Sequence, residues 1–184
     1  MERDVEYIKP SKGAYLARVS LSLLRFRTWK YFAYSLAYWF VNFVVPRSSV
    51  SVGHRSDIHP TALLRHAERI FVGDNVLINH GNVLQAGKAK AKILLGNYVH
   101  TGPNVMMFAY NHRFEKGTPS KTQNYDEADI VVGNDVWIGA GSIILAGTVI
   151  EDGCVIAAGS VVRGKLEANG IYVGVPAKLT GHRR

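Results

Sequence analysis

Cysteine is almost absent: the 184 residues hold one, Cys154. No internal disulfide is available to staple the fold, and the redox compartment is unconstrained. Acidic residues are missing altogether from 7 to 56, a stretch that carries eight basic ones: Lys9, Lys12, Arg18, Arg25, Arg27, Lys30, Arg47 and Arg55. Residues 57 to 184 hold 13 basic and 11 acidic side chains, so most of the net charge of +8 sits in the first 56 residues. A nucleic-acid partner is therefore not expected, because the rest of the chain lacks a basic stripe. Glycine and proline are missing between Gly13 and Pro46. The one long apolar run, Tyr31 to Val45, is broken only by Ser35 and Asn42. It is shorter than the roughly 20 residues a bilayer-spanning helix needs. A short basic start with a small-residue cleavage site is also lacking, which fits a secretory leader poorly.

Against these gaps stands a repeat. Every sixth residue from Val132 to Val162 is β-branched and apolar: Val132, Ile138, Ile144, Ile150, Ile156, Val162. Four residues after each of the first five come Val136, Ser142, Thr148, Cys154 and Ser160, and Gly133, Gly139, Gly141, Gly147, Gly153 and Gly159 lie between. A period of six belongs neither to a helix nor to a single strand. It predicts an all-β solenoid of short parallel strands and tight turns, with branched and small side chains alternating in a narrow interior. Cys154 then reads as core filler.

The period begins near Val52, with Ile58 and Leu64, and slips by two before Val72, Ile78 and Leu84. A second slip, holding the basic stretch 87 to 92, precedes Leu95, Thr101 and Met107. Each slip predicts a loop leaving the stack at a corner. From Arg113 to Val131 the pattern disappears, and a loop that long inside a compact domain is usually functional. The chain thus divides into a basic, aromatic helical arm at 1 to 46, a solenoid at 47 to 166 with a loop at 113 to 131, and a tail at 167 to 184. The arm has two readings: a cap over the solenoid's first strand edge, or a helix at a membrane interface, with its cations toward anionic headgroups. The second reading predicts peripheral membrane contact through residues 7 to 46.

Several stretches resemble the hexapeptide-repeat acyltransferases, in particular the maltose, galactoside and polysaccharide O-acetyltransferase group. They are V-G-N-D-V-W-I-G at 132 to 139, A-G-S-I-I-L-A-G-T-V-I at 140 to 150, I-A-A-G-S-V-V at 156 to 162, G-V-P-A-K at 174 to 178, and Asn111-His112 before the long loop. The resemblance implies a left-handed parallel β-helix, a homotrimer with active sites between subunits, and acetyl-CoA as acyl donor, with no metal. It also implies that His112 is the general base, a task suited to an imidazole. Asn79 matches a residue that contacts the acceptor sugar, or is simply a corner residue held by local hydrogen bonds. Trp137 matches a tryptophan beside the CoA thiol. Gly139, Ala140, Ala146, Ala158 and Gly159 offer a groove of small residues where backbone amides pair with the pantetheine. Arg163 and Lys178 are candidates for the CoA phosphates, with Lys165 an alternative to Arg163. Asp126, Glu127 and Asp129 lie in the loop, and none is assignable as a partner of His112.

These readings point to acetyl transfer from acetyl-CoA to a sugar hydroxyl, in cell-surface polysaccharide biosynthesis, by a cytoplasmic enzyme. The rival within the same fold is N-acetylation of an amino-sugar nucleotide. A zinc carbonic-anhydrase-like enzyme, with His54 and His59 as ligands, fits the motifs less well.

Overall fold

The computed structural model describes residues 9–184, so the start of the expected arm, residues 1 to 8, lies outside it. The chain falls into two compact units, one ending at Phe40 and the other spanning Val41–Arg184.

The first unit is a pair of helices, α1 (Lys12–Leu23) and α2 (Phe26–Trp39). Ser11 caps α1 by accepting from the Ala14 amide at 3.2 Å. The helix breaks at Leu24–Arg25 without glycine or proline, and the Trp29 indole donates to the Leu23 carbonyl at 2.7 Å. That bond satisfies one of the carbonyls a helix end leaves open. Neither helix buries a side chain.

The second unit starts earlier than the sequence boundary at 47. The Arg47 guanidinium explains why: it donates to the Phe43 carbonyl, and to those of His59 and Ala62 at 2.8 and 3.2 Å. Residues 41 to 46 are thereby bound to the first coil of a left-handed parallel β-helix. Its strands form three faces. Face 1 stacks Ser51–Val52, Ile70–Val72, Ile93–Leu95, Ile130–Val132, Val149–Ile150 and Lys165–Leu166. Face 2 stacks Asp57–Ile58, Leu77–Ile78, His100–Thr101, Trp137–Ile138, Val155–Ile156 and Gly170–Val173, and ends in Lys178–His182. Face 3 stacks Leu63–Arg65, Val83–Gln85, Met106–Phe108, Ile143–Ile144 and Val161–Val162. All these pairs are parallel except the last on face 2, where the C-terminal strand turns back antiparallel.

The interior is the one the period of six requires. Ile138, Ile144 and Val162 are 0 % exposed, and so are Ser142, Thr148, Cys154 and Ser160. The small polar side chains there serve the neighbouring coil. Ser142 Oγ donates to the Ala157 carbonyl at 3.0 Å, Thr148 Oγ1 lies 3.3 Å from that of Val162, and Cys154 Sγ lies 3.1 Å from the Glu167 carbonyl. Burial pushes the Cys154 thiol pKa up, as suits a filler and not a nucleophile. The expected inward residue Val52 is 43 % exposed, because it lies at the open start of the stack.

One corner is zipped by side chains. Asp74 Oδ1 accepts from the His54 amide, Asn97 from Asp74, Asn134 from Asn97 and Asp152 from Asn134, at 2.6, 2.8, 2.9 and 2.7 Å. This ladder between faces 1 and 2 fixes the register of successive coils. Inserted residues leave the stack at another corner, between faces 3 and 1. There the slips at 66 to 69 and 87 to 92 and the long loop all emerge. The loop is not without structure to residue 131, as the sequence suggested. Tyr110–His112 pairs antiparallel with Tyr125–Glu127, and Ile130–Val132 is already back on face 1.

Candidate functional site

His112 ends the outgoing strand of this hairpin, directly across from Tyr125. Its exposed ring lies 4.4 Å from that of Tyr125, tilted by 55°. The hairpin gives the imidazole a firm base, since Tyr125 in turn meets Tyr110 edge-on at 5.3 Å, and the Tyr110 hydroxyl donates to Gln85 at 2.6 Å. The three nearby carboxylates are each committed elsewhere. Asp126 pairs with Arg113 at 2.7 Å, and Asp129 accepts from the Lys92 amide at 2.7 Å. Glu127 accepts from the amides of Ala89, Lys90 and Ala91 at 2.9, 2.9 and 3.1 Å. Partial burial raises the Glu127 pKa, but the row of backbone donors outweighs it and holds the carboxyl down to about 2. Glu127 is therefore the clasp joining the hairpin to the 87 to 92 loop.

The remaining expected residues fall in other places. Asn79 follows the face 2 strand Leu77–Ile78, at the corner between faces 2 and 3. Its side-chain oxygen accepts from the His80 amide at 2.8 Å and lies 2.9 Å from His80 Nδ1, so it has the local bonds of a corner residue. Ala140, Ala158 and Gly159 line the same corner, exposed. Ala146 lies half-buried between faces 3 and 1 instead. Gly139 is buried, contrary to a place on the open groove: a Cβ there would lie 2.5 Å from the Ala158 amide nitrogen. It is needed for close stacking of coils, and its own amide bonds the Ile156 carbonyl at 2.8 Å. Trp137 stands on face 2, half exposed, over a cavity of about 550 Å³ shared with Asn75, Tyr98, His100, Val155 and Arg183. Arg163 lies exposed between faces 3 and 1 and forms no ion pair among the described residues, whereas Lys165 is paired with Glu151 at 3.0 Å. Lys178 is exposed in the strand that closes face 2. Among the described residues no group of three His, Cys, Asp or Glu is placed to hold a metal ion. His59 neighbours His80 at 5.8 Å between ring centroids.

Two groups thus emerge in one chain. Asn79, Ala140 and Ala158 share the corner between faces 2 and 3, while His112 and Arg163 share the corner between faces 3 and 1. Sequence reading missed Lys88, whose ammonium lies 3.4 Å from the centre of the Tyr125 ring. It also missed Glu127 as a clasp, although a basic stretch at a slip was the visible sign of a loop there.

The clasp yields a test. Because its folded pKa of about 2 lies below the ordinary value near 4.3, Glu127 contributes stability above pH ~4.3, and that contribution is lost as pH falls through about 2. Glu127→Gln should therefore be less stable than the parent near neutrality, with the gap closing toward pH 2. Denaturant unfolding of both proteins at several pH values measures it, and hydrogen exchange should quicken at residues 89 to 91.

Comparison with known proteins gives this geometry a family. Residues 129–164 match the model of the bacterial transferase hexapeptide (six repeats). The chain is 27 % identical over 157 residues to an Escherichia coli dTDP-4-amino-4,6-dideoxy-D-glucose acyltransferase, covering 72 % of this chain and 82 % of that protein. Four other curated acetyltransferases, among them a probable one of Mycobacterium tuberculosis, are 31 to 34 % identical, and the chain spans only 52 to 66 % of their length. Among solved structures, a maltose O-acetyltransferase of Clostridium difficile superimposes with a TM-score of 0.68 at 28 % identity, over 76 % of this chain and 73 % of that one. A hexapeptide-repeat-containing acetyltransferase of Vibrio cholerae, complexed with acetyl-coenzyme A, gives 0.66 at 26 %, over 76 % and 75 %. With its repeat, its three-faced stack and these relatives agreeing, the chain carries the hexapeptide repeat of the bacterial transferases and is similar along its solenoid to the acetyltransferases built on it.

Proposed function

We propose that the protein transfers an acetyl group from acetyl-CoA to a sugar hydroxyl in the assembly of a cell-surface polysaccharide, as a homotrimer whose sites lie between subunits. The observation that carries this is the separation of the two groups on one chain. A base on one corner and a small-residue groove on another serve one reaction when the corners of two copies meet, and closed rotational symmetry repeats that meeting around a ring. The exposed Ala140, Ala158 and Gly159 leave room for the pantetheine arm. The relatives support the donor and the acceptor class: the Vibrio cholerae protein holds acetyl-CoA, and the Clostridium difficile protein acts on maltose.

In this reading His112 accepts the hydroxyl proton as the acceptor oxygen attacks the thioester carbonyl. Collapse of the tetrahedral intermediate breaks the C–S bond, and the CoA thiolate leaves and takes up the proton. Firm placement of the imidazole by the Tyr125 hairpin matters because proton transfer demands hydrogen-bond reach. An amine acceptor uses the same steps, and the Escherichia coli relative, named for an amino sugar, favours that as the second reading. His112→Ala should keep the fold and lower acetyl transfer by about 10²–10⁴-fold. Thiol release from acetyl-CoA, measured with sugars and amino sugars, reads the loss and separates the two acceptors. Unchanged turnover in the folded variant overturns the assignment.

The arm supports a peripheral place on the inner face of the membrane. No helix among the described residues is long and apolar enough to cross one. α1, α2 and the break between them nevertheless expose Leu16, Leu24, Phe26, Trp29, Tyr31, Phe32 and Trp39, each by half or more, beside Arg18, Arg25, Arg27 and Lys30. Aromatic residues at the boundary with cations above them are the composition of an interfacial helix pair. The protein should co-sediment with anionic vesicles and release as salt rises, because screening weakens each contact. Changing those four cations to Gln should weaken binding without changing acetylation of a soluble acceptor. Retention that ignores both salt and the substitutions would refute the anchor.

A further inference from the structure

The corner beside His112 holds more positive charge than it uses. Two cavities, about 500 and 310 Å³, open there, and Lys88 lines both. The larger also takes in Lys90, Arg113, Asp126 and Glu127, and the smaller Arg65 and His66. Arg113 is neutralised by Asp126, and Glu127 is consumed by the backbone amides at 89 to 91. Lys88, Lys90 and Arg65 make no ion pair with any described carboxylate. Lys88 is not loose, however. Its ammonium sits 3.4 Å from the centre of the Tyr125 ring and 5.3 Å from that of Tyr110. The ring of His112 leans on the same Tyr125 at 4.4 Å. The aromatic contact positions the cation without discharging it.

We propose that this corner is an anion subsite for the acceptor, and that the acceptor is a sugar carrying a phosphodiester or diphosphate. Lys88 takes a phosphate oxygen, with Lys90 and Arg65 at the sides, while the sugar reaches His112. The inference rests on the reading of His112 as the base. The amides of 89 to 91 are not the phosphate cradle, because Glu127 occupies them. Side-chain cations do the work, and a point charge such as lysine serves a phosphate without demanding one geometry. Cavities of this size hold a small ligand of the diphosphate-sugar class. The shared chemistry is the phosphate; a nucleotide or a polyisoprenoid lipid is equally able to lie beyond it.

The test separates this subsite from the acetyl-transfer reading. Inorganic pyrophosphate is titrated by calorimetry into the full-length protein saturated with CoA, so that the donor's own phosphates are already placed. Binding should weaken by about tenfold or more in Lys88→Gln, as loss of a charge-assisted contact gives, and should be unchanged in Lys116→Gln, on the exposed loop. In a parallel assay, a sugar, its nucleoside-diphosphate form and its polyisoprenyl-diphosphate form compete as acceptors. One of the two phosphorylated forms should have the lower KM, and Lys88→Gln should raise that KM while leaving the KM for acetyl-CoA unchanged. The better of the two identifies the carrier. Pyrophosphate binding that is absent, or equal in parent and Lys88→Gln, overturns the subsite. So does transfer to the free sugar as efficient as to both phosphorylated forms. Absence of transfer to any acceptor, with pyrophosphate binding intact and Lys88-dependent, counts instead against the acetyltransferase reading and leaves the subsite standing.

Discussion

The narrow interior of the β-helix is the constraint on which everything else depends. Each coil must place one branched aliphatic and one small side chain inward on every face, because the three faces approach too closely for two large ones. Ile138 and Ile144 fill the faces, while Ser142, Thr148 and Ser160 occupy the tighter positions and bond backbone atoms of the next turn of chain. Parallel strands only two or three residues long are weak alone. They hold because each strand inside the stack is paired on both sides and because the Asp74–Asn97–Asn134–Asp152 ladder ties coil to coil. A shift by one residue would turn the aliphatic set outward.

That rigidity leaves the chemistry nowhere to go but the corners. Extra residues at 66 to 69, 87 to 92 and 109 to 129 all leave the stack between faces 3 and 1, so they meet one another. The hairpin of the longest carries His112, the loop at 87 to 92 carries Lys88, and Glu127 joins the two through three backbone amides. A carboxylate held well below its ordinary pKa by amides remains ionised and is a weak base near neutrality. Its role is to set the position of the loop. The corner between faces 2 and 3 is the opposite: Gly139 and Gly102 admit the next coil's backbone at contact distance, and Ala140 and Ala158 leave the outer side bare. One corner carries charged and aromatic side chains, and another leaves space.

The solenoid was legible in the sequence because its period is imposed by packing, residue by residue, and every inward position from Val132 to Val162 is buried. The slips were legible as well, since a break in period has to leave the stack. The hairpin was not. Tyr110–His112 and Tyr125–Glu127 pair across a long connection, and neither strand alternates in a way that reveals the pairing. The open place given to Gly139 failed for a related reason: sequence shows a glycine but not whether it serves a ligand or the neighbouring coil. Lys88 was hidden by its company, since a run of Gly, Lys and Ala reads as a solvated loop until Tyr125 is seen beneath it. In the arm, composition announced helices, but the break at Leu24–Arg25 has no residue signature.

The central claim is that one working site takes His112 from one copy of the chain and the Ala158 groove from another. Complementation tests it most directly. His112→Ala and Ala158→Trp, each inactive as a homotrimer, are unfolded together in equal amounts, refolded and assayed for acetyl transfer. If sites form between copies, random assembly restores about one quarter of the parent's activity, because that fraction of interfaces joins two intact corners. If the mixture shows no more activity than its two parents while refolding into trimers, both groups must belong to the same chain, and the shared site is contradicted.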